Sequence, residues 1–298
     1  MRTPRFAVLT VAMTVLIGLS AVPAASAAPD SEVRQVSGAL RGAAAVAAAG
    51  DAADAFRDAT TLRRQSAQNM TAAAAQLHNW WGVFPSATWT GMTATHTLNP
   101  NFRLSNAADY LYSPTMKPPH GSCIEVVTVH TRTYAQVWAW NWCGPGAPAV
   151  TMNINSTFLA KYATTVNGRQ AYTVRIRQTN AATNTWTATL YNYSTAAWDT
   201  MYTSSGTDRS GWQQGWDMFE FYSNTNPAGR TYICDDIAAA GVAFEGSSIT
   251  VLSGSTWIPA GTGNSTWMPS ASPNPSAYKC PALSFNILHA NDNWLVHE

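Results

Sequence analysis

The sequence predicts an all-β sandwich or barrel behind an alanine-rich leader. Three observations point there. From His78 onward threonine, valine and tyrosine dominate, with Gly, Pro, Asn and Ser punctuation about every eight to twelve residues. All thirteen tryptophans lie at or after Trp80. No helical periodicity of any length is visible in that part, and its roughly 220 residues suffice for one large core.

The elements follow in chain order. Arg2 and Arg5 precede an apolar run from Phe6 to Leu19, and Ala25-Ser26-Ala27 supplies small residues for cleavage. Residues 1–27 therefore read as a secretory signal peptide, too short in its apolar core for a membrane span. Residues 28–77 are rich in alanine, a strong helix former with little bulk for a core, and read as an Ala-rich helical leader of one or two weak amphipathic helices, or as a partly disordered one. Two readings stay open for this leader: a spacer or poorly ordered tail, and a propeptide that covers an active site until it is cut. Residues 78–298 form the β domain. Its strands are expected at Cys123–Arg132, Tyr134–Trp142, Ala171–Gln178, Thr185–Tyr193 and Trp198–Ser204. Further strands are expected at Trp216–Tyr222, Val242–Phe244, Ser248–Leu252 and Leu283–Leu288, with a surface loop over Gly261–Ser276.

Export permits disulfides, and Cys123, Cys143, Cys234 and Cys280 allow three pairings. Nearness in sequence favours Cys123–Cys143 with Cys234–Cys280. No CxxC, HExxH or GxSxG occurs, so neither a metal nor a cofactor is expected, and a serine hydrolase lacks its residues. The formal net charge is +1 with no basic stripe, which disfavours nucleic acid and anionic membranes as partners. A secreted, extracellular monomer is expected.

Two glutamates stand out. Beyond residue 80 the chain has only Glu125, Glu220, Glu245 and Glu298, and the first two fall inside strand-like aromatic runs. A mid-strand carboxylate among large rings is costly unless it is paired, protonated or used. In a regular strand Glu220 shares its face with Met218 and Tyr222, with Trp216 on the same side. The run Ala135–Trp142 puts Gln136, Trp138, Trp140 and Trp142 on one face. Three indoles in a row suit a ligand-facing groove, or fill the sandwich core. His130 faces away from Glu125 and reads as a satisfied structural histidine.

Together the Cys123-Ile-Glu125 run, the aromatic strand, and Trp216-Asp-Met-Phe-Glu220-Phe resemble the glutamic peptidases. The second run resembles the W-I-V-E-D-F motif of the eqolisin branch. A glutamate at both positions is closer to the neprosin branch, whose flanking glycines are here Met218 and Phe219. The resemblance spans roughly residues 106–252. It implies a concanavalin-like double β-sandwich, jelly-roll-like, with seven-stranded sheets bent around a groove. It also implies acid hydrolysis of protein or peptide substrates. Glu220 would be the general base, Glu125 the acid or oxyanion partner, and Gln136 a further donor. The substrate would be held by Trp138, Trp140, Trp142, Trp216, Met218 and Tyr222. A retaining glycoside hydrolase on a jelly roll, or a lectin-like module, remains compatible with two glutamates beside a tryptophan stripe.

Overall fold

The protein is described by a computed structural model covering residues 33–66, 76–86 and 89–298. The expected signal peptide, and residues 28–32 and 67–75 of the leader, lie outside the described residues. Strands in chain order are β1 (Leu40–Arg41), β2 (Gln76–Pro85), β3 (Gly91–Thr97), β4 (Tyr110–Lys117), β5 (Ile124–His130) and β6 (Ala135–Asn141). They continue with β7 (Pro148–Asn153), β8 (Thr164–Val166), β9 (Arg169–Asn180), β10 (Thr185–Asn192), β11 (Ala197–Ser204) and β12 (Trp216–Asn224). The last are β13 (Ala243–Ser253), β14 (Thr256–Pro259), β15 (Ser265–Met268), β16 (Ser284–His289) and β17 (Asn293–His297). Helices are α1 (Ala43–Ala49), α2 (Asp51–Ser66), α3 (Ser156–Tyr162) and α4 (Tyr232–Ala240).

Two antiparallel sheets face each other. One has eight strands in the order β1-β7-β6-β5-β4-β12-β2-β15, and the other nine, along β11-β10-β9-β3-β13-β17-β16 with β14 and β8 at its margins. The double sandwich is thus present, with eight and nine strands where the resemblance implied seven in each sheet. Between the sheets lie Val126, Val137, Phe219 and Phe221 from the first, with Val174, Ile176, Trp186 and Leu190 from the second. Strand β10 shows why: Trp186, Ala188 and Leu190 are buried while Thr185, Thr187, Thr189 and Tyr191 face outward, the alternation of a half-solvated sheet.

The eight-stranded sheet breaks that pattern. Every residue of β5 is buried, as are all but the last of β12. Over β5, β6 and the Tyr222 end of β12 the leader helices lie on the outer face, and at the Trp216 end of β12 Phe84, Trp80, Trp212 and Met268 pack against Trp216 and Met218. The leader's alanine run favours helix, and Gly50 (φ 52°) separates α1 from α2 in a conformation that costs glycine little. Asp51 and Asp54 occupy the first turn of α2, where the helix dipole favours negative charge. Ala45, Ala49, Ala52 and Ala53 are buried, and their small side chains let the helices approach closely. Phe56, also fully buried, fills the space that remains. Ahead of the helices, β1 pairs with β7, Val36 donates to the Thr200 carbonyl at 2.9 Å, and Arg34 pairs with Asp199 at 2.9 Å. The spacer or poorly ordered tail allowed by the sequence is therefore corrected for residues 33–66, because aromatic surface on the sheet offers those alanines and Phe56 burial.

Other expectations also need correction. Strand β2 is described from Gln76, and β1 of the leader joins its sheet. Helices α3 and α4 interrupt a region read as free of helix. Both are short, seven and nine residues, too brief to show a periodic signal. The stretches Val242–Phe244 and Ser248–Leu252 belong to the single strand β13, which is irregular between Ser247 and Thr250. The loop Gly261–Ser276 contains β15, held against β2. Both disulfides, Cys123–Cys143 and Cys234–Cys280, form as favoured. No helix among the described residues is long and apolar enough to cross a membrane.

A polar network crosses the core. His96 on β3 meets Asp217 on β12 at 2.7 Å, and Trp294 on β17 donates to the same carboxylate at 2.7 Å. All three side chains are fully buried. Gly246 leaves room for this network, since a Cβ there would lie 2.2 Å from Asp217 Oδ1 and 2.5 Å from Trp294 Nε1. Gly246→Ala is expected to cost about 1–3 kcal/mol, read as a lower urea midpoint with an unchanged slope.

Candidate active site

Glu125 and Glu220 project from the same face of the eight-stranded sheet, the face under the leader. Glu125 pairs across β5 and β6 with Trp140, whose ring is in the aromatic cluster of that face. Glu220 alternates with Trp216, Met218 and Tyr222 on β12, and Tyr222 belongs to the same cluster. Asp217, Phe219 and Phe221 point the other way, the last two into the core. Both glutamates are fully buried.

Each carboxylate has its own partners. Glu125 Oε1 accepts from Thr115 Oγ1 at 2.6 Å and from Trp216 Nε1 at 2.8 Å, and its Oε2 accepts from Trp142 Nε1 at 3.0 Å. These donors suit an ionised carboxylate. The buried ammonium of Lys117 lies over the Trp216 ring, 5.3 Å from its centroid, and is paired with Asp208 at 3.1 Å. Burial pushes the Lys117 amine below its usual range, while the charges of Asp208 and Glu125 pull it back up. On the other side, His78 Nε2 lies 2.8 Å from Glu220 Oε1, and the His78 ring stacks on Tyr222 at 4.0 Å.

The two groups are linked along the sheet through Trp216. Trp216, which holds Glu125, pairs with Lys117 across β12 and β4. Glu220 lies four residues further along β12, roughly 13 Å of strand. The structure thus brings the glutamates to one aromatic face and holds each there by hydrogen bonds.

The other residues named from sequence fall as follows. Trp138, Trp140 and Trp142 do line one face, with Val137 and Ala139 on the core side. They do not form an open groove: Trp138 and Trp140 are fully buried and Trp142 is 3 % exposed. Phe56 covers them. Trp216 and Met218 form a smaller cluster with Phe84, flanked by Trp80, Trp212 and Met268. Gln136 pairs opposite Val129, away from Glu125. Its oxygen accepts from Trp138 Nε1 and its nitrogen donates to Asn153 and to the Ala48 carbonyl, so it secures the leader rather than standing beside Glu125. His130 faces away from Glu125 as expected, yet among the described residues neither ring nitrogen has a hydrogen bond of good geometry, which corrects its reading as satisfied. His78, Thr115 and Lys117 were not singled out from sequence. Only strand order brings them to the glutamates, and no spacing in the chain announces it.

No family model matches the chain, and no curated protein matches it. Solved structures give a distant likeness. Scytalido-glutamic peptidase with a peptide-based transition-state analogue overlaps 74% of this chain and 97% of its own, at 12% identity and a TM-score of 0.39. SCP-B, a member of the eqolisin family in complex with the tripeptide Ala-Ile-His, shows the same coverage, at 10% identity and a TM-score of 0.40.

Proposed function

We propose that the protein is a secreted acid endopeptidase whose water is activated by Glu220, with Glu125 as the second carboxyl. The observation that carries this reading is the pair of fully buried glutamates on one aromatic face, each with a distinct donor set. At acid pH a protonated His78 donates to Glu220 and keeps it ionised, ready to act as base. Glu220 takes a proton from water as the water oxygen bonds to the substrate carbonyl carbon. It returns that proton to the amide nitrogen as the C–N bond breaks. Glu125, ringed by three donors, favours its anion, so it gains the proton needed to stabilise an oxyanion only in acid.

The leader supports a zymogen. Helix α2 covers the face on which both glutamates lie, with Phe56 against the tryptophans. A covered face cannot admit substrate, so the chain is inactive until the leader is cut and leaves. The test is to hold the full chain at pH 3–4 with denatured protein or with soluble β-glucan. Peptide fragments should appear after a lag that ends as the leader is cleaved and dissociates. Sugar release, or glucan binding without turnover, would replace this reading with the glycosidase or lectin. Hydrolysis without lag while the leader stays intact would remove the zymogen.

A further inference from the structure

Phe56 sits in a box of four rings. Its centroid lies 4.7 Å from that of Tyr112, 4.7 Å from Trp140, 6.3 Å from Trp142 and 6.5 Å from Trp138, edge-on to all but Trp142. These are the separations and tilts at which aromatic pairs attract. The walls of the box reach towards both glutamates. Trp142 donates to Glu125. Tyr112 lies against Tyr222 at 5.8 Å, and Tyr222 carries the His78 that bonds Glu220.

The same face holds the backbone of the segment that delivers Phe56. Tyr112 Oη donates to the Ala52 carbonyl at 2.6 Å, Tyr134 Oη to Ala49 at 2.5 Å and Gln136 Nε2 to Ala48 at 3.2 Å. One donor stays unused. Trp140 Nε1 is buried without a hydrogen-bond partner among the described residues. An orphaned buried donor is costly in a finished core, and here it is set in the wall of the box.

Resting on the peptidase reading above, we propose that the box of Tyr112, Trp138, Trp140 and Trp142 is a specificity subsite. It takes a large apolar, preferably aromatic, side chain of the substrate, and Phe56 is its built-in occupant. When the leader leaves, a substrate ring enters where Phe56 was. Trp140 Nε1 then becomes a donor for the carbonyl of the incoming strand. A small side chain would leave the box part-empty, since its four walls are rings.

Two measurements on the full chain test this and keep the subsite separate from the chemistry. The first maps bonds cut in a mixed peptide library at pH 3–4, for the wild type and for Trp140→Phe. Phe, Tyr, Trp or Leu should be enriched at one fixed position by at least about tenfold, and Trp140→Phe should weaken that preference. The second uses Phe56→Ala, which empties the box beside three fluorescent indoles. Titration with acetyl-Ala-Phe-Ala-amide should change tryptophan emission saturably, and acetyl-Ala-Ala-Ala-amide should not. Cleavage without aromatic enrichment overturns the subsite. Aromatic binding without cleavage upholds the subsite and sinks the peptidase reading alone. Absence of both cleavage and binding overturns the two together.

Discussion

Glu220→Gln is expected to lower acid hydrolysis by about 10²–10⁴-fold while leaving thermal unfolding nearly unchanged. The amide is isosteric, and it still offers polar atoms to His78, 2.8 Å from the native carboxylate. What it cannot do is accept a proton from water. The measurement pairs the rate of peptide release with a melting curve on the same preparation. Hydrolysis within a factor of ten of wild type would remove Glu220 from the chemistry. Loss of activity through unfolding would make it a structural residue. Glu125→Gln is a less clean probe, because an amide nitrogen turned towards Trp142 or Trp216 would meet another donor.

The second large effect concerns stability in acid. His130 is fully buried between Phe102 and Phe244, at ring separations of 5.5 and 5.7 Å. Burial pushes its pKa down to about 3, opposed by the Phe102 backbone and reinforced by the charge of Arg103. In the unfolded chain it titrates near ~6.5. Above that value the imidazole is neutral in both states and adds no pH-dependent cost. As pH falls from there towards 3, the unfolded chain binds a proton that the folded one refuses, so stability declines. At pH 4 the loss amounts to about 3 kcal/mol. His130→Leu should remove this part of the acid loss, read as a smaller drop in urea midpoint between pH 7.5 and pH 4. Equal drops in both proteins would show that His130 is not the acid-sensitive group. The proposed working pH falls inside this window, so the enzyme would operate below its own stability maximum.

How much was legible follows from which faces meet water. Strands β9, β10 and β11 carry threonines outward and apolar residues inward, and the alternation marked them in the sequence. Strands β5 and β12 were found through their β-branched and aromatic residues even though both of their faces are buried. Strands β2 and β4 are harder to see, because Gly82 and Pro85 in one and Pro114 in the other are residue types that interrupt a strand pattern. At Ser113-Pro114 the pairing is irregular with both neighbours, which is where a central strand tolerates proline. The glutamates and tryptophans could be named from sequence because their chemistry is unusual for a strand. Their contacts with Thr115, Lys117 and His78 depend on β4 and β2 lying beside β12, a long-range pairing that no local pattern encodes. The docking of the leader was hidden for a different reason: alanine is the same on every face of a helix.

The attachment of the leader through β1, Val36 and Arg34 separates two events that zymogen activation usually merges. A cut between Ser66 and Gln76 severs the chain but leaves the freed fragment clamped at the sheet margin. From that moment it behaves as a tight, reversible ligand of the molecule that released it. On the proposed reading, recovery of turnover would then depend on dilution: a concentrated sample would stay silenced by its own by-product, and the same sample spread into a large volume would switch on.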